Sequence, residues 1–506
     1  MYKPIILGIA MMALLVGASP APAQWSPLKR ISYARGGYNP HIMARGDTLH
    51  VVYQGLSSYN RTVIWHVGSI DGGNSWGTPQ IVCDTTGSSG FTYPKVTCWG
   101  SRVAVFWKNN FRNARDRDNI GMRLSTNGGQ TWGSVFYLLE SNVFFMDHFD
   151  ACSEDSVIDI VYCFASPGVD AYFLKYLRST NFGITWNTPP DTICRSLEFG
   201  VLDMEKFGDR LNVIFTGGYN HQYTWEIYHF RSTDGGDSWS GVDSLTLIDN
   251  HSSIFPKMCT KEDGELLAVW TDFAPGPTFF TGDLLLRRSL DGGLSWTPSE
   301  QVTFTYYAWQ SDVTAFGDSI FLAWSDDRHH SSEGISTVYS IHSTDDGLTW
   351  SPELRMEPES YDCYDCVEPT LAHSNGKARL VFKDGRCEPD TDFCVGAYYT
   401  EFPAEPDKVE EEWQERLPGT VFLYSYPNPF NSSVLIHYDF ENQKGGELGI
   451  YNIHGQRVRS IHLDGKEGQI EWDATDAKGN KVSSGIYFAR AEASQDSYTI
   501  KLLYLK

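Results

Sequence analysis

Past its first 23 residues, the 506-residue sequence holds no apolar run near the roughly 18 residues a membrane-spanning helix needs. The mature chain is therefore expected to carry no transmembrane segment. Positive charge is also scarce. Forty Lys and Arg stand against 63 Asp and Glu, a net charge of -23. That balance argues against nucleic acid or an anionic membrane surface as the partner, since both are met by basic patches. It suits solubility outside the cell. Apolar residues are not lacking: 41% are hydrophobic and 14% aromatic, which argues for a packed fold over a disordered chain. The length exceeds one ordinary core and suits a large repeat domain with a smaller one beside it.

The one apolar run is at the start. Lys3 precedes Ile5 to Val16, and Ala21-Pro22-Ala23 forms a small-x-small site before Gln24. Residues 1–23 thus read as a signal peptide cleaved near Ala23. Export changes the meaning of the ten cysteines. Cys363-x-x-Cys366 with Cys387 and Cys394 has zinc-like spacing, but an oxidising compartment favours disulfides, with a bridge across the loop Glu388 to Phe393. The pairing of Cys83, Cys98, Cys152, Cys163, Cys194 and Cys259 does not follow from sequence.

Six copies of Ser-x-Asp/Asn-x-Gly-x-x-Trp recur, with leading serines at 69, 125, 179, 232, 289 and 343. Steps of 56, 54, 53, 57 and 54 residues define a repeat architecture. Each repeat reads as four short strands separated by turn chemistry, the pattern of an antiparallel propeller blade. Pro40, Pro94, Pro256 and Pro369 open their repeats. The box has a structural logic. Glycine permits positive φ, the short polar side chains close the turn, and tryptophan plugs it onto an apolar layer. Asp71, Asn127, Asn181, Asp234, Asp291 and Asp345 are therefore turn residues. An acid/base catalyst would not tolerate the two asparagines.

The box resembles the Asp-box, or bacterial neuraminidase repeat, of sialidases and of many propellers that are not sialidases. The resemblance covers roughly residues 25 to 402 and implies an all-β propeller over 24–404. Trp25-Ser26-Pro27 looks like the end of a box, comparable with Trp350-Ser351-Pro352, and Glu368 to Phe402 reads as a further repeat without one. Together they predict a seventh blade closed by both termini of the domain, the alternative being the six blades of sialidases. Residues 405–419, with Glu410-Glu411-Glu412, read as a linker. Residues 420–506 predict a small immunoglobulin-like β-sandwich. Their order of segments resembles the C-terminal sorting domain of the type IX secretion system. That resemblance implies a two-membrane bacterium, engagement of that machinery, and a secreted or outer-membrane-surface location.

Sialidases carry Arg-Ile-Pro on the first inner strand, whose arginine helps grip a carboxylate. Here the residue two before Pro40 is Tyr38, and no catalytic residue is carried over. Aligning repeats by their turns instead places His41, Lys95, Phe149, Asp203, Lys257, Asp312 and Thr370 at equivalent inner positions. Asp147, His148, Asp150 and Glu368 lie near, with Tyr306, Tyr307 and Trp309 in one inter-blade loop. Asp203, Asp312, His148 and Asp150 are the candidate channel catalysts, Asp203 and Asp312 as a possible glycosidase pair. His41, Lys95, Lys257, Tyr306 and Trp309 are the candidate ligand contacts. A solvated lining is the structural alternative. Asp326-Asp327-Arg328 and Asp384-Gly385-Arg386 read as salt-bridged turns, with structural calcium as the alternative. No other cofactor or metal is expected. The leading expectation is a monomeric, non-catalytic module for a glycan or a surface protein. An exo-acting glycoside hydrolase of the exo-α-sialidase type and a purely structural surface component are its rivals.

Overall fold

A computed structural model describes residues 24–402 and 422–504, apart from 33–35, 58–60, 85–89, 111–117, 140–144, 166–171, 188–189, 197, 219–223, 275–280, 330–335, 358–362, 387–394, 427–429, 440–444, 453, 466 and 494–495. The signal peptide, the linker and the loop between Cys387 and Cys394 lie outside the described residues. The chain divides into two units after Glu405.

The first unit is seven four-stranded antiparallel sheets, the blades of a propeller. Their innermost strands are Gly36–Arg45, Gly90–Trp99, Phe145–Glu154, Glu198–Phe207, Ser253–Thr260, Ala308–Phe316 and Cys363–Ser374, for blades one to seven in turn. Each of these strands packs against the first strands of both neighbouring blades, so the seven close a ring around a central channel. One aromatic recurs at the same register of every second strand: Tyr53, Trp107, Tyr162, Phe215, Trp270, Trp324 and Phe382, none more than 3% exposed. The alternation buries these rings between sheets, where an aromatic contributes its largest area.

The box turns follow the third strands and pack on the turns after the first strands, as in the bond from Gly72 N–H to the Asp47 carbonyl. Ser69 Oγ donates to Asp71 Oδ1 at 2.8 Å and accepts from Gly73 N–H at 2.9 Å. Asp71 also accepts from Ser75 N–H and Oγ. The Asn boxes keep the geometry by reversing one bond: Asn127 Nδ2 donates to Thr131 Oγ1 and Asn181 Nδ2 to Thr185 Oγ1. A hydroxyl four residues on, able to donate or accept, is what lets Asp and Asn interchange. Gly73 combines φ 95° with close approach to Tyr399 of the preceding blade, so a side chain there would be both strained and crowded.

The box tryptophans seal each blade onto the one before it, not only onto their own. Trp76 packs edge-on to Tyr399, Trp132 to His66, Trp239 to Tyr176 and Trp296 to His229. Trp25 plays the same part for blade seven, against Phe321 and Phe402, and its Nε1 donates to Ser340 Oγ at 3.0 Å. Beside it Lys29 and Arg30 pair with Tyr399 and Tyr398. The N-terminal segment is thus the outer strand of blade seven, and the seven-bladed closure is the one observed.

Four cysteines among the described residues stand outside any disulfide. Cys98, Cys152, Cys194 and Cys259 are free thiols, contrary to the expectation from export. Each packs in the apolar layer of its own blade as a small hydrophobe, and a closed ring of blades needs no covalent staple. At Asp326 the salt-bridged turn is realised: Arg328 Nε and Nη2 donate to its two oxygens, both at 2.7 Å, and Trp324 Nε1 donates at 2.9 Å. The Arg386 side chain lies outside the described residues.

The second unit pairs a three-stranded sheet (Phe422–Tyr426, Val434–Asp439, Glu467–Trp472) with a four-stranded one (Gly445–Asn452, Arg457–Asp464, Gly485–Ala493, Asp496–Tyr504). Both contribute to one core, with Val434, Ile436 and Trp472 from the first and Ile450, Ala489 and Leu502 from the second.

Trp25→Ala is expected to lower stability by about 2–4 kcal/mol, close to what burying an aromatic ring is worth, because it opens the closure seam. Phe304→Ala, at a ring 70% exposed, is expected to leave the denaturant midpoint unchanged. Equal midpoints for the two variants would contradict the closure.

Candidate functional site

The ring around the channel is set by register. His41, Lys95, Asp150, Asp203, Lys257, Asp312 and Thr370 pair with equivalent second-strand residues, from Val52 in blade one to Val381 in blade seven. The turn alignment placed Phe149 in this ring; the register places Asp150 there, and Phe149 is buried in the blade core. The slip has a cause. The turn after the first strand opens on Gly46, Gly100, Gly208 and Gly317 in four blades, but on Asp155 in blade three, which takes φ 51° in glycine's place. The missing glycine shifts a turn-based alignment by one residue.

The ring's polar groups mostly bind the neighbouring blade. Asp150 Oδ2 accepts from Met204 N–H at 2.9 Å, and Asp203 Oδ2 from Met258 N–H at 2.8 Å. Asp312 Oδ2 accepts from Leu371 N–H at 2.8 Å, and His41 Nδ1 from Val96 N–H at 3.3 Å. Lysine cannot accept, and the two lysines instead pair with carboxylates: Lys95 with Asp150 at 2.6 Å and Lys257 with Asp203 at 2.8 Å. Burial and then Lys95 hold His41 well below its usual pKa, so it is neutral and free to accept. Burial pushes Asp203 up to about 6 against the pull of Lys257. Burial also raises Asp312. It acts upward on Asp150 too, but Lys95 and Lys257 outweigh it and hold that carboxyl below its usual range. Below the ring the channel passes Cys152, Glu205 and Cys259. Burial lifts both thiols well above their usual pKa, which leaves them unreactive.

Above the ring lies a mouth on the face opposite the boxes. All seven inner strands carry a register shift at this end. Five of them place a non-glycine residue in left-handed backbone two positions before the ring: Asn39 (φ 47°), Tyr93 (52°), Phe255 (55°), Gln310 (45°) and Glu368 (60°). All five line the mouth. Left-handed backbone costs such residues about 1–2 kcal/mol each. Sequence reasoning singled out only Glu368 of these; the signal for three others was their place directly before Pro40, Pro94 and Pro256.

Aromatic contacts surround the mouth. His148 lies 5.1 Å from the Tyr93 ring, and Trp309 6.4 Å from Phe255. Tyr306 and Tyr307 sit on the loop entering blade six but do not line the cavity. Asp283, fully buried, fixes that loop by accepting from Thr303 Oγ1, Thr305 N–H and Tyr306 N–H. Tyr38, where sialidases have arginine, is 38% exposed with Lys383 Nζ 5.1 Å from its ring centre. Among the described residues no arginine lines the mouth, and no group of three His, Cys, Asp or Glu side chains is placed to hold a metal ion.

Residues 424–504 match the family of secretion-system C-terminal sorting domains. The second unit is a sorting domain. It routes the protein to export by the type IX system, either released or held at the cell surface. The sorting domain accounts for the small sheet pair, so any ligand chemistry falls to the propeller. No curated protein matches the chain in sequence. An ulvan lyase of a then new polysaccharide lyase family, bound to a GlcA(1-4)Rha3S repeat, is 12% identical with a TM-score of 0.50, covering 73% of this chain and 95% of its own. A protein of unknown function from Dyadobacter fermentans is 12% identical, TM-score 0.45, covering 74% and 98%. A Hadza microbial sialidase is 14% identical, TM-score 0.42, covering 58% and 64%. Likeness at such identity shows the propeller fold alone.

Asp150→Ala is expected to cost about 3–5 kcal/mol, since it orphans both the Lys95 ammonium and the Met204 amide. Asp150→Asn, which keeps an acceptor for the amide, is expected to cost less. Denaturant unfolding of both variants checks the clamp.

Stability should also follow a defined pH course. Asp203 near 6, and Glu226 and Glu357 near 7, bind protons more tightly folded than unfolded, so their contribution to stability rises as pH falls through about 7 toward 4. Asp234 and Asp291, held near 2 by the box hydroxyls, act oppositely, and their contribution is lost from about 4 down to 2. Burial holds His50 near 4 and His66 and His229 near 3, so charging of the unfolded chain's histidines below about 6.5 works against that gain. Below about pH 4 the histidine and box contributions fall together, and melting temperature is expected to drop from about pH 4 to 2, as a scan across pH 2 to 8 would register.

Proposed function

We propose that the propeller is a non-catalytic glycan-binding module, exported through its sorting domain and acting as a monomer outside the cell. The observation that carries this reading is the division of labour around the channel. The ring carboxylates that resemble catalytic groups are engaged with the adjacent blades through backbone amides and lysines. A general acid must reach a leaving-group oxygen, and a nucleophile must present an open lone pair to an anomeric carbon. Asp203 is the more committed of the pair, held by both the Met258 amide and Lys257, while Asp312 gives one oxygen to the Leu371 amide and the other to its own strand at Val313, bonds that favour a structural role for both.

The mouth supports the binding half of the reading. Strained backbone that persists needs surroundings that over-determine it, and it clusters at ligand sites. Here it carries Tyr93 and Phe255 to the cavity wall beside polar Asn39 and Gln310. Flat aromatic faces with a few fixed polar groups are the usual furniture of a sugar site.

Mature full-length protein is expected to bind members of a glycan array and to leave a fluorogenic sialoside and intact polysaccharides uncleaved. Tyr93→Ala combined with Phe255→Ala is expected to weaken binding about tenfold or more with little change in melting temperature. Turnover that disappears in Asp312→Asn would establish the hydrolase reading instead.

A further inference from the structure

One side of the mouth holds two carboxylates that no lysine among the described residues meets in an ion pair, Lys257 and Lys95 acting on Asp312 only from a distance. Asp312 and Glu368 both line the cavity, on the adjacent blades six and seven. Val313 and Leu371 N–H donate to the two oxygens of Asp312, at 2.9 and 2.8 Å. Asn39 N–H donates to Glu368 Oε2 at 2.5 Å. Lys95 and Lys257 are committed to Asp150 and Asp203. Lys383 acts on Glu368 from a distance, its ammonium lying over the Tyr38 ring. Among the described residues, neither Asp312 nor Glu368 makes an ion pair.

A second observation points to the same place. Ser311, 3% exposed, lines this mouth with a hydroxyl that has no hydrogen-bond partner. The buried Oε1 of Gln310 beside it also has none. The unused capacity here is largely acceptor capacity: two carboxylates, an amide oxygen and a hydroxyl, with the Phe255 ring in the same wall. A carboxylate or sulfate would meet like charge. An ammonium brings three donors and a positive charge, and an aromatic face stabilises it further.

We propose that the mouth between blades six and seven binds a protonated amine, so that the glycan it takes ends in a free, non-acetylated amino sugar. This rests on the glycan-binding reading above. Burial raises both carboxyls above their usual range, and a cation bound beside them favours their charged forms.

Calorimetric titration of the mature chain tests it, with a glucosamine oligomer, the N-acetylglucosamine oligomer of equal length and a uronic acid oligomer. Below the amine's pKa the free amino sugar is expected to bind about tenfold tighter than the acetylated one, the worth of a charge-assisted hydrogen bond. Glu368→Gln is expected to weaken the free amino sugar about tenfold and so remove that preference. In the unaltered protein, raising pH above the amine's pKa is expected to remove it too. Equal affinity for the two hexosamine oligomers, tighter binding of the uronate, or a preference that survives the pH change would overturn the amine site. Array binding confined to other glycans would overturn this inference alone, whereas no glycan binding at all would overturn the reading beneath it as well.

Discussion

The innermost strand of every blade is an edge strand. It has a hydrogen-bonded neighbour on one side only, and its other side faces the channel or the next blade. Unmet N–H groups along seven such edges would be costly inside a packed ring. The protein answers with side chains. At four of the seven junctions a ring residue reaches the amide one step further along on the next blade, at Val96, Met204, Met258 and Leu371. Of the two ring lysines, Lys95 pairs forward with Asp150 and Lys257 back with Asp203. The propeller's polar centre is thus first a closure device, and the ring's mixture of Asp, Lys and His follows from which junctions take an acceptor and which a charge.

That requirement gives the inner-strand aspartates a structural role that residue type alone does not reveal. Aspartates on inner strands look like acid/base candidates because residue type is legible and hydrogen-bond occupancy is not. The fold was far more legible. The box reports its own geometry, since its glycine, its short polar side chains and its tryptophan each answer a local steric or bonding need. Blade seven lacks a box, yet its buried Phe382 stands where the other six blades have Tyr, Trp or Phe, so a strand-based pattern counts seven directly. Asp155 hid the register of blade three because a non-glycine residue took a glycine's conformation. The strained residues of the mouth were invisible for the same reason: a backbone angle over-determined by packing leaves little mark on residue type.

The two ends of the propeller are built to different rules. At the box end a repeated set of short bonds, with tryptophans sealing each junction, makes every turn alike. At the mouth end each inner strand breaks register, and the residues differ from blade to blade. Regularity at one end frees the other. Once closure is secured by boxes, plugs and ring clamps, the strand entrances can hold irregular backbone without endangering the whole. The sorting domain directs export, and the proposed recognition rests on the propeller.

Charge then decides what the irregular end can recognise. A site for an acidic sugar needs a cation left over after folding, and arginine is the usual provider because its guanidinium matches a carboxylate in two bonds. Here both ring lysines are spent on closure, and the position of the sialidase arginine holds Tyr38. What remains at the mouth is aromatic surface and acceptors, with Asp312 and Glu368 hydrogen-bonded by backbone amides and free of ion pairs among the described residues. An amide N–H carries a partial charge and cannot neutralise a carboxylate in a buried wall. The same clamps that hold the blades together leave the mouth rich in acceptors, and the proposed preference for a cationic ligand rests on how the ring is closed.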